Sequence, residues 1–327
     1  MSLLKRLIDF IFYYVQTMRL YYGFVTGIGG WLGLSFYIFL YPQNCSLWHQ
    51  AGILGVMFLA WGVNQVVNDW LGLPEDRVNA PHRPMVTGKL PVVPALVVTA
   101  ILLSAALGLS WYWSPLAAGV LVAGVVMNVI YEYSKAWSLL GNVVFGVMMA
   151  LCPVYGFLAA GEYSQPLFTS NRICGLFLVA LMNGLMTYYT YFKDYEGDRA
   201  AGRRTFIVRR GLHVAKRVGL VAAFAVIASQ MLFIAKGWLS WSDILYPREF
   251  IFCTAVALFL QLWTGVRFFI HPSGDRTYFS LGINIQACVA GQIVLIAIFN
   301  GTLALFLLSG SLLLIQFLFS LHEDAKA

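Results

Sequence analysis

The chain has 327 residues, 60% of them hydrophobic and 11% charged, with a mean hydropathy of +0.76. Soluble domains carry about 25% charged residues, so a soluble enzyme is excluded. The 21 basic residues against 14 acidic ones give a net charge of +7. That excess is confined to short loops and not spread over a solvated face, so no nucleic-acid partner is expected.

In chain order, residues 1–19 come first, with Lys5 and Arg6 ahead of an apolar stretch that Arg19 interrupts. No small-residue cleavage site follows and a full span comes next, so the segment reads as an amphipathic interfacial helix and not as a signal peptide. Ten apolar blocks long enough to cross a bilayer follow. They run from Leu20 to Tyr41, Gln50 to Asn68, Val92 to Tyr112, Pro115 to Tyr131, Ser138 to Ala160, Ile173 to Phe192, Val218 to Ala235, Glu249 to Ile270, Leu281 to Phe299 and Thr302 to Leu321. The divisions at Trp113-Ser114-Pro115 and Asn300-Gly301 fit either a tight turn between two spans or a kink within one. The expected fold class is therefore all-α: a multi-pass membrane bundle of nine to ten transmembrane helices forming one catalytic domain over residues 20–321, with a polar tail at 322–327. With the N-terminus cytoplasmic, all the basic residues except Arg172, Lys236 and Arg248 fall on one face, which predicts that the loops after the second and sixth spans are cytoplasmic.

The five cysteines form no CxxC and have no paired His spacing, so neither a zinc site nor a disulfide framework is expected. His82, His213 and His271 read as solvated or headgroup-facing loop residues.

Charge is costly in so apolar a chain, so its clustering is informative. One cluster follows the second span: Asn68 and Asp69, then Gly72, Pro74, Glu75, Asp76, Arg77 and Arg83, with Lys89 beyond. The other follows the sixth span: Tyr189, Lys193, Asp194, Glu196, Asp198, Arg199, Arg203 and Arg204. Asp194 and Asp198 are four apart, so on a continued helix they share a face and can hold one hard cation. Gly72 and Pro74 end the preceding helix, so Asp76 arrives from a loop or a short new helix. Mg²⁺ typically takes one or two carboxylates and completes its shell with water and phosphate oxygens. Two such clusters face to face make a diphosphate site, with Arg77, Arg83, Lys89, Lys135, Lys193, Arg203 and Arg204 available for charge-assisted hydrogen bonds.

At these two segments the sequence resembles the UbiA superfamily of intramembrane prenyltransferases. The family's NDxxDxxxD motif and its NxPxRPxxSG loop read here as Asn68-Asp69-xx-Gly72-xxx-Asp76, then Asn79-Ala-Pro81-His82-Arg83-Pro84-Met-Val-Thr87-Gly88. The second motif reads Tyr189-xxx-Lys193-Asp194-xxx-Asp198, and a weaker match runs from Tyr133-Ser134-Lys135 to Gly141-Asn142. The resemblance implies a UbiA-like bundle whose two loops bind a Mg²⁺-complexed prenyl diphosphate. It implies metal ligands at Asn68, Asp69, Asp76, Asp194 and Asp198, and diphosphate contacts from Asn68, Arg77, Arg83, Lys135, Lys193, Arg203 and Arg204. It further implies catalytic roles for Asp194, Asp198, Lys193 and Tyr189. Tyr188, Tyr189 and Tyr191 offer ring faces to an allylic cation. The sequence departs from the family where Gly72 replaces the central aspartate of the first motif and where ten blocks stand against the family's usual nine helices.

Three functions are weighed. The first is transfer of a prenyl group to a small, aromatic acceptor; the second is acceptor-free cyclisation by a UbiA-type terpene cyclase. A secondary transporter is disfavoured, because coupling carboxylates usually lie near the midplane and nearly all acidic residues here sit at span ends.

Overall fold

The computed structural model describes residues 3–42 and 44–323. It contains fourteen α-helices, and among the described residues ten spans are long and apolar enough to cross a membrane. Residues 1–2 of the N-terminal segment and 324–327 of the expected polar tail lie outside the described residues.

Helix α1 (Leu3–Met18) precedes the first span. Leu4, Ile8, Ile11, Phe12 and Val15 on it are exposed, while Tyr14, Thr17 and Met18 face the bundle. The Tyr14 hydroxyl meets Thr99 Oγ1 at 2.8 Å, docking α1 on the helix that carries Thr99. Helices α2 (Gly23–Leu40) and α3 (Leu47–Leu71) form an antiparallel pair, and α4 (Leu73–Asn79) follows at once because Gly72 ends α3 and Pro74 opens a new helix. Helices α5 (Val92–Trp113) and α6 (Pro115–Ser134) are separate: Ser114 caps α6 by accepting from Ala117 N, and Pro115 occupies its first turn. Helices α7 (Leu140–Ala160) and α8 (Ser170–Lys193) follow, then the short α9 (Tyr195–Ala200).

The seventh span is broken into α10 (Phe206–Ala222) and α11 (Ala225–Ala235), and Gly211 in α10 has φ 75°, a left-handed value that glycine adopts without cost. His213 thus lies on a helix and not in a loop. Helices α12 (Pro247–Ile270), α13 (Arg276–Ala297) and α14 (Gly301–Glu323) complete the bundle. Asn300 caps α14 through its Oδ1 to Leu303 N, and α14 returns along α13 with Phe319 stacked on Tyr278, so these are two spans and the total is ten.

Lipid supplies no hydrophobic drive between helices, so close backbone approach holds the bundle together. A Cβ on Gly33 would meet Pro153 O at 1.8 Å, and one on Gly156 would meet Gly30 O at 2.0 Å. Helices α2 and α7 therefore touch backbone to backbone. Helix α13 is the most enclosed span, and α5 is the most lipid-exposed. At the end bearing both motifs, α4 and α9 lie over the bundle. Strands β1 (Trp137–Ser138) and β2 (Arg204–Thr205) pair in parallel, fastening the loop after α6 to the loop after α9.

Candidate active site

Beneath α4 and α9 is a cavity of about 250 Å³. Its wall carries six carboxylates (Asp69, Glu75, Asp76, Glu132, Asp194 and Asp198) and five Lys or Arg cations (Arg19, Arg83, Lys135, Lys193 and Arg203). His82, exposed as its loop position predicts, also borders it.

The first half is built from α3, α4 and the residue before the first span. Arg19 has φ 48° and ψ 61°, an uncommon conformation for a non-glycine residue. From that turn its guanidinium grips both oxygens of Asp69, at 3.0 and 2.9 Å. Gln65 donates to Asp69 Oδ1 at 2.8 Å, and Arg83 stands 3.5 Å from the same oxygen while pairing with Asp76 Oδ2. Burial pushes the Asp76 carboxyl above its usual value despite Arg83. Asn68 and Asn128 exchange amide hydrogen bonds across α3 and α6, at 3.3 and 2.8 Å.

The second half is the junction of α8 and α9. Asp194 caps α8, Asp198 N donates to Asp194 O at 2.9 Å, and the turn so formed directs both carboxylates into the cavity. Asp194 has one nearby cation, with Lys193 Nζ at 3.5 Å. Asp198 is buried, and its carboxyl is pushed up to about 7 by desolvation and by the negative charge of Asp194, against the pull of Arg203 and Lys135. The halves are joined by Arg203, which pairs with Glu75 on α4. Burial alone would raise Glu75, but the Arg203 hydrogen bond and charge outweigh it and hold the carboxyl low.

An aromatic floor of Tyr22, Trp61, Tyr131 and Phe145 lines the cavity. Tyr22 stacks on Trp61 with centroids 4.6 Å apart, Phe145 meets Trp61 edge-on at 5.7 Å, and Tyr131 lies 5.1 Å from Phe145. Trp61, Gln65, Asn68 and Phe145 also line a second, mostly apolar cavity of about 70 Å³ between α3, α6 and α7, which runs toward Met57, Met149 and Tyr155.

Of the residues singled out in the sequence, Asn68, Asp69, Asp76, Arg83, Lys135, Lys193, Asp194, Asp198 and Arg203 share this cavity. Arg77 and Arg204 are exposed and lie outside its wall. Lys89 stands over the Tyr13 ring, also outside. Tyr189 is fully buried, donates to Gly219 O at 2.7 Å and stacks on Phe268; Tyr188 donates to Ala215 O. Both tie α8 to α10, and only Tyr191 of the three tyrosines faces the cavity. Sequence reasoning placed Glu75 in the first cluster without giving it a role, and it missed the site roles of Arg19, Gln65, Asn128, Glu132 and the aromatic floor. A polar residue at the end of a span was the available signal for Arg19, Asn128 and Glu132.

Among the described residues, no three Asp, Glu, His or Cys side chains stand close enough to hold a metal ion by themselves. The donor set is nonetheless hard oxygen of the kind Mg²⁺ selects, and carboxylates outnumber cations in the cavity. An anionic ligand entering it needs added positive charge.

A ten-span membrane bundle with two carboxylate clusters at one end defines a multi-pass integral membrane protein. The chain belongs to the UbiA prenyltransferase family, whose model matches residues 30–284. It is 28% identical over 218 residues to the digeranylgeranylglyceryl phosphate synthase of Thermococcus kodakarensis, covering 60% of this chain and 76% of that one. A UbiA homologue from Aeropyrum pernix K1 superposes with a TM-score of 0.62 at 15% identity, over 86% of this chain and 96% of that one. A UbiA homologue from Archaeoglobus fulgidus bound to GPP and Mg²⁺ superposes with a TM-score of 0.60 at 16% identity, over 87% and 99%. These structures share the fold.

Proposed function

We propose that the protein transfers a prenyl group from a prenyl diphosphate to a small acceptor in a Mg²⁺-dependent reaction. The observation that carries this reading is the convergence of both acidic motifs on one cavity that shares Trp61, Gln65, Asn68 and Phe145 with an adjoining, mostly apolar passage. The cavity suits a diphosphate and the passage suits its isoprenoid tail.

Asp76, Asp194 and Asp198, with the Asn68 amide, would hold Mg²⁺, which when bound stabilises the departing diphosphate as a Lewis acid. Arg83, Lys135, Lys193 and Arg203 hydrogen-bond the diphosphate oxygens, and Arg19 keeps Asp69 neutralised so that its charge does not repel the substrate. The bond from the prenyl C1 to the diphosphate oxygen breaks and its electron pair leaves with the diphosphate. The allylic cation then lies against the faces of Tyr22, Trp61, Tyr131 and Phe145, which stabilise positive charge and keep water away. An acceptor nucleophile forms the new bond to C1 and gives up its proton to the released diphosphate. Tyr189 has no place in this scheme, since its hydroxyl is committed to Gly219.

The motif-bearing end is assigned to the cytoplasm, on the strength of the basic residues gathered there. An aromatic acceptor is the first class to test; a glycerol phosphate ether is the second, from the printed name of the relatives. The experiment incubates purified protein with C10 to C20 prenyl diphosphates, with and without each acceptor class, and identifies the products. Acceptor-dependent prenylated product supports transfer; a terpene alcohol or hydrocarbon formed equally well from diphosphate alone replaces transfer with cyclisation.

A further inference from the structure

Gly72 leaves the first motif without its central side chain, and the structure has another group at that place. A Cβ built on Gly72 would lie 3.9 Å from Asp76 Oδ2 and 4.0 Å from Glu132 Oε1. A carboxylate carried at position 72 would therefore project into space bordered by Glu132, a residue of α6 that belongs to neither motif. Glu132 is only 8% exposed and lines the cavity. Its Oε1 pairs with Lys135 one turn along, whereas its Oε2 is buried with no hydrogen-bond partner.

A bare, dry carboxylate oxygen in a cavity wall carries a desolvation penalty that a hard cation relieves. Neutralising Lys135 accounts for one oxygen and leaves the other unexplained. The motif's own carboxylates have less to offer, since Asp69 is held by Arg19, Arg83 and Gln65, and Asp76 shares Arg83 with it.

We propose that Glu132 supplies from α6 the carboxylate missing at Gly72, and that with Asp76 it forms the carboxylate side of the divalent-cation position nearest the first motif. This rests on reading the cavity as a Mg²⁺-dependent diphosphate site. It makes Glu132 a metal ligand of the prenyl-transfer reaction, and Lys135 the cation released toward the diphosphate when Glu132 turns to the metal.

The test titrates Mn²⁺ into full-length protein holding a non-ionising geranyl thiolodiphosphate and reads free Mn²⁺ by electron paramagnetic resonance. Glu132→Gln is expected to raise the Mn²⁺ Kd roughly tenfold or more. Gly72→Asp in the Glu132→Gln background is expected to bring it back to within about threefold of wild type, and Gly72→Asp alone to gain far less, because Glu132 already fills the place. Should Glu132→Gln fail to fold alone, the double variant decides by itself: wild-type-like Mn²⁺ binding supports the proposal, and Mn²⁺ binding weakened roughly tenfold overturns it. An unchanged Mn²⁺ Kd in Glu132→Gln, with weaker binding of the metal-free analogue, overturns it in favour of a partner for Lys135 only. A wild type that binds no Mn²⁺ beside the analogue overturns the functional reading as well, and so is distinguishable from failure of the Glu132 assignment alone.

Discussion

The two acidic motifs meet in one cavity but are in different electrostatic conditions. In the α3 and α4 half, Asp69 and Asp76 are neutralised by Arg19 and Arg83. In the α8 and α9 half, Asp194 has only Lys193 at 3.5 Å, and Asp198 is held near neutrality by burial beside Asp194. In the first half both aspartates are paired with guanidinium groups; in the second, among the described residues, only Asp194 has an ion-pair partner, Lys193. On the function proposed above, Asp194 and Asp198 are the motif carboxylates freer to turn to a metal.

The largest effect is expected in the second half. Asp194→Ala or Asp198→Ala should lower kcat by roughly 10³-fold or more, and Asp194→Ala should leave the thermal unfolding midpoint almost unchanged, as that partly exposed side chain does not fill the helical core. Asp69→Ala should do the reverse in kind. Removing one partner of a buried ion pair leaves Arg19 uncompensated and should cost about 3 kcal/mol of stability, read as a fall in the unfolding midpoint, with a smaller loss of kcat. Equal thermal penalties in the two halves would erase the distinction drawn between them.

The pH dependence sharpens it further. A carboxyl raised from 3.8 to about 7 keeps a proton in the folded state that the unfolded chain has already lost. Metal-free stability should therefore fall as pH rises between those values and level off above the upper one, and Asp198→Asn should remove that slope in unfolding scans with chelator. Mg²⁺ must displace the same proton, so its apparent affinity should weaken by about tenfold per pH unit below about 7. On the aromatic floor, Trp61→Leu should lower kcat about tenfold with little change in KM, since the ring face interacts with charge that develops only on ionisation. Arg77→Ala and Arg204→Ala, at exposed positions outside the wall, should remain within about twofold of wild type in kcat/KM. A large loss in either would mean that the loops close further over the substrate than the structure shows.

Much of this was legible in the sequence, for physical reasons that also mark where it stopped. Span number followed from apolar block length, and the Ser114 and Asn300 caps resolved the two doubtful divisions into turns. The motif residues were visible because charge beside a membrane span is costly and local in sequence. Arg19 was read as a loop cation marking orientation, since nothing local announces that a left-handed turn sends it 50 residues along the chain to Asp69. Tyr189 was placed in the site because it heads the second motif, but helical geometry points it at α10 and leaves Tyr191, two residues on, facing the cavity. Glu132 lay on a neighbouring helix outside both motifs, and only the packing of α6 against the end of α3 brings it to Gly72.

The central claim, that both motifs serve one metal-dependent diphosphate site, is tested most directly by diphosphate release from a C10 to C20 prenyl diphosphate by purified protein across a Mg²⁺ titration. The account predicts release by wild type only with Mg²⁺, and none by the Asp194→Asn, Asp198→Asn double variant at any Mg²⁺ concentration. Release by wild type in chelator, or near-normal release by the double variant, would contradict it.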